Sequence, residues 1–383
     1  MNKPWQDWSE DMVTAFQTDF LTWYQHEKRN LPWRYNQDPY RIWISEIMLQ
    51  QTRVDTVIDY FYRFMEIFPT IKDLAEADED KLLKVWEGLG YYSRARNLQT
   101  AAKQIMEEYG GEFPTTVEDI RSLKGIGPYT AGAISSIAFE LPEPAIDGNV
   151  MRVVSRLFCI EDDIAKASSR KVFDEAMRKI ISQEHPGDFN QAMMDLGSSI
   201  CTPTSPECES CPLQKYCQAY QEDRQTDFPV KSKKQKPKDV YYVAGVIENQ
   251  DQAFLLQKRA EKGLLANMWL FPMEEITEAH FNSLKEQYDP SSWDLFSSSQ
   301  VAEENPDFFI DQEIIWQKKV LGEVKHVFSH LRWHILVFYG RSTDQVSLVG
   351  DWVKQRDFST YVFPKPQQKI VEVFENNQAD DKD

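Results

Sequence analysis

The chain has 383 residues, 42% hydrophobic and 13% aromatic, which excludes wholesale disorder. That length is enough for about two to three domains. The formal net charge of −18 divides evenly: residues 1–237 carry 28 Lys and Arg against 37 Asp and Glu, and residues 238–383 carry 15 against 24. Neither half is basic, so recognition of a polyanion by overall field is excluded, and local patches or backbone amides are left to do it.

Residues 1–200 read as almost wholly helical. Ser9 is a good N-cap, and Phe16, Phe20, Trp23 and Tyr24 recur behind it at helical spacing. Further helices are expected near 40–51, 54–68, 78–87, 93–109, 128–139, 149–158, 168–184 and 189–199, with Pro and Gly at the joints. The reading is an all-α domain over 1–225, a lysine-rich linker over 226–238 and a second, α/β domain over 239–375. In the second domain Val240–Ile247, Ala253–Gln257 and Ile335–Tyr339 have strand character, with helices near 277–288 and 366–375. The acidic tail 376–383 is expected to be disordered. No stretch reaches about 18 uninterrupted apolar residues. Met1 to Glu10 are polar, without the apolar run of a secretory leader. A cytoplasmic monomer with no membrane association is expected.

Four of the five cysteines, Cys201, Cys208, Cys211 and Cys217, fall in one short loop as C-x6-C-x2-C-x5-C. Clustered thiolates repel unless a positive group sits between them, and a cytosolic setting favours metal over disulfides. The uneven all-Cys spacing fits an iron–sulfur cubane, a [4Fe-4S] cluster; structural zinc is the alternative. Cys159 lies in an apolar run and reads as a buried small hydrophobe.

Three features upstream carry chemistry. In Leu123-Lys124-Gly125-Ile126-Gly127-Pro128-Tyr129, two glycines flank an apolar residue before a helix opened by Pro128. Amides exposed there make an uncharged phosphate site; a plain helix–turn–helix joint is the alternative. Asp147, in Ala145-Ile146-Asp147-Gly148-Asn149, is an acid after an apolar stretch, although Asp-Gly-Asn is also an ordinary turn. Glu46 has Ile42, Trp43 and Leu49 among its helical neighbours, which leaves it either desolvated and protonated or at the edge of the apolar face. One protonated and one ionised carboxyl suit cleavage of a glycosidic bond, and beside a phosphate-binding hairpin they suggest an N-glycosylase acting on a flipped-out nucleotide.

The hairpin, Asp147 and the cysteine loop together resemble the helix-hairpin-helix DNA glycosylase superfamily in its iron–sulfur branch, over residues of about 10 to 220. Within it the chain is most similar to the adenine DNA glycosylase family. Tyr129 stands where endonuclease III has its Schiff-base lysine, so the resemblance implies a monofunctional enzyme. The run Pro32-Trp33-Arg34 … Trp43-Ile44-Ser45-Glu46-Ile47-Met48-Leu49-Gln50-Gln51 matches the general-acid helix. The resemblance makes Glu46 the acid and Asp147 the stabiliser of the oxocarbenium, with Tyr129 and Asn149 orienting it. It places Arg34, Gln51, Tyr91, Gly125 and Gly127 against DNA. It further implies a Nudix-like second domain in which Phe328-Ser329-His330 reads 8-oxoguanine. G-x5-E counted from Gly263 puts Trp269 at the acid, and no R-E-x2-E-E follows, so that domain is expected to bind without hydrolysing. The expected partner is double-stranded DNA holding adenine opposite 8-oxoguanine or guanine, met at the nucleoid. An endonuclease III-like pyrimidine glycosylase with lyase activity and a non-catalytic iron–sulfur DNA-binding protein are the competing readings.

Overall fold

A computed structural model describes residues 3–233, 236–288, 307–309, 313–342 and 348–380. It divides into two compact units, one of residues 1–85 and 93–233, the other of 86–92 and 234–383.

The first unit is helical among its described residues: α1 (Glu10–Glu27), α2 (Pro39–Leu49), α3 (Val54–Ile67), α4 (Ile71–Ala75), α5 (Glu79–Val85), α6 (Ser93–Glu108), α7 (Val117–Ser122), α8 (Pro128–Phe139), α9 (Gly148–Phe158), α10 (Arg170–Ile180), α11 (Pro186–Ser199) and α12 (Gln218–Gln221). Local chemistry sets the boundaries. Ser9 accepts from Met12 N–H, Asp38 from Tyr40 N–H and Asp147 from Val150 N–H, and each opens a helix. A core of Phe16, Phe20, Val154, Phe158, Phe173 and Phe189 knits α1, α9, α10 and α11 together. Gly132 lets α8 approach closely, since a Cβ there would lie 2.2 Å from Pro144 O. The short helices α4 and α7 were not expected; each rests on a threonine cap, Thr70 and Thr116, more than on periodicity.

The second unit holds a sheet in the order β3-β2-β1-β6-β5, built from β1 (Lys238–Glu248), β2 (Ala253–Lys258), β3 (Trp269–Leu270), β4 (Met273–Ile276), β5 (Ile314–Val327), β6 (Leu331–Ser342) and β7 (Asp351–Lys354). β4 pairs with β1 and β7 with β2. β1 runs parallel to β6, and both are buried on two faces. Ala244, Val246, Ile335 and Val337 face one apolar cluster, which takes in Ile370 and Phe374 of α14 (Lys365–Asp380). Val243, Ile247, Leu336 and Phe338 face the other, with Phe281 and Leu284 of α13 (Glu278–Tyr288). Burial on both faces explains their continuous apolar sequences.

Three expectations need correction. The tail is not disordered from 376: α14 runs on through Asp380, and Asn377 Nδ2 donates to Leu321 O at 2.9 Å. Residues 381–383 lie outside the described residues. The linker does not begin at 226: Phe228 is buried, Arg156 Nε donates to its carbonyl at 3.1 Å, and Ile164 N–H donates to Val230 O. The segment 86–92 belongs with the second unit, where Phe363 N–H donates to Glu87 Oε1 at 3.0 Å. Among the described residues no helix is long and apolar enough to cross a membrane.

Candidate active site

Glu46 sits on α2, a helix whose face packs Ile42, Trp43, Ile44 and Met48 into the core, and it is only 5% exposed. The buried reading therefore holds over the edge reading. Its carboxyl lines a cleft of about 410 Å³ together with Arg34, Tyr129, Asp147, Asn149, Gln191 and Met194. The fold thus brings the catalytic candidates and Arg34 to one place.

Burial pushes the Glu46 carboxyl above its ordinary value; a hydrogen bond from Tyr129 and the charge of Arg34 pull it back, while Asp147 pushes it further up. Tyr129 Oη donates to Glu46 Oε2 at 2.6 Å and lies 3.6 Å from Met194 Sδ. Burial and the neighbouring carboxylates hold the Tyr129 phenol well above its usual range, so it stays a donor. With Oε2 occupied as an acceptor, Oε1 is the oxygen left to carry a proton.

Asp147 caps α9 and is handled differently. Oδ1 accepts from Val150 N–H at 2.8 Å and Oδ2 from Asn149 Nδ2 at 3.0 Å. Burial raises its carboxyl too, against the Val150 and Asn149 amides, the Arg152 charge and the Asn149 side chain. Two adjacent carboxyls cannot both ionise cheaply. More donors converge on Asp147 than on Glu46, which favours the anion at Asp147 over Glu46.

The hairpin leads into α8. Gly125 has φ +80°, where a side chain is strained, and Gly127 caps the helix with open space beside it. Gln51 (φ 60°) and Tyr91 (φ 47°) are non-glycine residues in the left-handed region, which non-glycine residues adopt uncommonly. Gln51 is exposed, and Tyr91 is 48% exposed. Arg34 is partly buried with its fork engaged: Nη1 donates to Asp195 Oδ2 at 2.8 Å and Nη2 to Oδ1 at 3.1 Å.

No disulfide joins the four clustered cysteines. Burial pushes Cys211 up to about 12 and Cys217 to about 11, so they need a bound positive group to ionise near neutrality. Among the described residues no three His, Cys, Asp or Glu side chains are arranged to hold a single metal ion. A cubane takes one thiolate per iron and does not require that convergence, so the donor set fits an iron–sulfur group. Two buried arginines of α9 tie the loop down. Arg152 donates to Cys201 O at 2.8 Å and to Asn149 Oδ1 at 2.9 Å. Arg156 donates to Cys201 Sγ at 3.3 Å and Thr202 O at 2.7 Å. Cys159 is only partly buried, as the left-handed C-cap of α9, and not the core hydrophobe expected.

In the second unit Phe328, Ser329 and His330 form the turn between β5 and β6, closed by Phe328 N–H on Leu331 O at 2.7 Å. Phe328 packs on Trp333 and His326, whereas Ser329 and His330 are exposed at the tip. The segment 261–267 forms bends and turns rather than a helix, with Gly263 and Asn267 at positive φ.

The sequence matches three family profiles: the HhH-GPD superfamily of base excision DNA repair proteins over residues 44–180, the iron–sulfur binding domain of endonuclease III over 201–217, and a NUDIX domain over 243–373. It is 34% identical to the adenine DNA glycosylase of Rattus norvegicus, over 95% of this chain and 79% of the relative. It is also 34% identical to that of Buchnera aphidicola, over 94% of this chain and 99% of the relative, and 32% to that of Homo sapiens, over 96% and 75%. The chain belongs to the adenine DNA glycosylase family. Its fold class follows: a helix-hairpin-helix glycosylase domain with an iron–sulfur loop, then a Nudix-like domain.

Membership of the adenine DNA glycosylase family does not point to every residue in the cleft. Gln191, Met194 and Ser198 of α11 line it, and Asp195 lies behind Arg34. None was singled out from the sequence. The 191, 194, 198 spacing on a helix is the signal that could have found them.

Proposed function

We propose that this chain hydrolyses the N-glycosidic bond of adenine paired with 8-oxoguanine or guanine in double-stranded DNA, acting as a monomer in the cytoplasm without Schiff-base chemistry. The observation that carries this is the Tyr129 hydroxyl hydrogen-bonded at 2.6 Å to a buried Glu46, with Asp147 in the same cleft. Glu46 delivers its proton to the ring of the flipped adenine as the bond to the sugar breaks. Tyr129, a phenol with no amine to offer, holds Oε2 so that Oε1 faces the base. Asp147 stays anionic under its amide donors and offsets the oxocarbenium charge, Asn149 steadies that carboxylate, and water completes hydrolysis. Loss of the base leaves an abasic site.

The backbone amides after Gly125 and Gly127 hold a phosphate, which lets an acidic protein bind DNA locally. In the first unit Gln51 contacts the DNA; in the second, Tyr91 contacts DNA, and Phe328, Ser329 and His330 read 8-oxoguanine. Cys201, Cys208, Cys211 and Cys217 hold a [4Fe-4S] cluster that folds the loop. That cluster supplies structure here, since hydrolysis moves no electrons.

Single-turnover base release on duplexes differing only in the base opposite adenine tests this reading, with borohydride present in a parallel set. Adenine release opposite 8-oxoguanine and guanine, with no trapped covalent adduct, is expected. A trapped adduct, or release of pyrimidines instead, refutes it.

A further inference from the structure

We propose that Asp195 is a positioning residue for base release: a buried carboxylate that fixes the Arg34 guanidinium in the cleft wall beside Glu46 and balances its charge there. This rests on the reading of Glu46 as general acid. Asp195 is 4% exposed on α11. It takes both Nη atoms of Arg34, at 2.8 and 3.1 Å, and Arg29 Nε at 3.1 Å. The two-point Arg34 contact fixes orientation as well as distance. Burial opposes the Arg34 charge, and the hydrogen bonds and charge of Asp195, together with the charges of Tyr24 and Glu46, outweigh it.

A buried ion pair is weak evidence for stability, so its place beside the reacting groups calls for another explanation. Bond scission creates a cationic sugar. The two guanidiniums that Asp195 binds, Arg29 and Arg34, oppose that cation, and Asp195 reduces their combined charge from two to one. The same excess charge would draw the proton from Glu46. The charged or titratable groups facing Glu46 are Tyr129 from α8, Arg34 from the turn after Leu31, and Asp147 from the α9 cap; Arg29, Arg53 and Asp55 line the same cleft and are exposed. Arg34 is the one cation acting on Glu46 in that set, and Asp195 holds it.

The test is single-turnover adenine release by the full-length protein across pH, with mismatch-duplex affinity measured alongside, for wild type, Asp195→Asn and the double variant Asp195→Asn/Arg29→Gln. Asp195→Asn should slow release on the order of 10²-fold and move the alkaline limb to lower pH by about one unit, while affinity is kept. Removing the excess cation with Arg29→Gln should recover part of the rate. An unchanged rate and pH profile overturns the proposal. So does a rate loss accompanied by lost affinity that Arg29→Gln deepens, because that marks a structural residue. If wild type releases no adenine, the proposed function itself fails and this inference falls with it.

Discussion

Asp147 has two jobs in this account, helix cap and transition-state anion, and Asp147→Asn separates them. Asparagine ranks with aspartate as an N-cap, so the amide oxygen can keep the Val150 N–H now held at 2.8 Å. Its nitrogen then faces Asn149 Nδ2, which loses the acceptor it has at 3.0 Å. One unmade hydrogen bond costs about 1 kcal/mol, a fall in melting temperature of roughly 2–4 °C for a unit of this size. The charge is lost outright. Removing one preorganised electrostatic partner costs on the order of 10²–10³ in rate. Melting followed by circular dichroism and single-turnover adenine release, run on the same preparations, read the two effects independently. Asp147→Ser, another good cap, should reproduce the rate loss. A rate within about tenfold of wild type in both variants would leave Asp147 as a cap alone and refute the reasoning.

Three further outcomes are expected. Burial raises the Glu46 carboxyl above its ordinary value, so the folded state holds that proton more tightly than the unfolded chain. Stability is then full below the ordinary carboxylate range and is lost as pH rises through the raised value. Glu46→Gln should flatten that decline, which melting temperatures between pH 5 and 9 would show as a gain at the alkaline end. Gly132→Ala sets a Cβ 2.2 Å from Pro144 O; overpacking of this kind costs about 1–3 kcal/mol, and an unchanged melting temperature would contradict the packing described for α8. Ser329→Ala should bring binding opposite 8-oxoguanine down toward that opposite guanine, by roughly tenfold for one lost hydrogen bond; retained preference in a titration would remove the tip of the β5–β6 turn from recognition.

Most helices of the first unit were legible in the sequence because caps and apolar periodicity agree there, as at Ser9 before α1 and Pro128 in α8. Glu46 was legible for the same reason: a charge on an apolar helix stands out. Asp195 was not, since Met193-Met194-Asp195-Leu196 reads as an ordinary helix carrying one acid. Its burial comes from arginines 161 and 166 residues away. Arg152 and Arg156 were hidden in the same way, since their partners in the cysteine loop lie 49 and 46 residues further on. β5 escaped because it is an edge strand whose lysines interrupt the apolar alternation. The attachment of 86–92 to the second unit depends on a contact 276 residues long, which no local pattern carries.

The central claim is that Glu46 delivers the proton that releases adenine. Single-turnover kinetics of Glu46→Gln on a duplex with adenine opposite 8-oxoguanine test it most directly, with affinity for that duplex measured in parallel. Unimpaired binding with adenine release at background level is the result this account predicts. Release at the wild-type rate would contradict it.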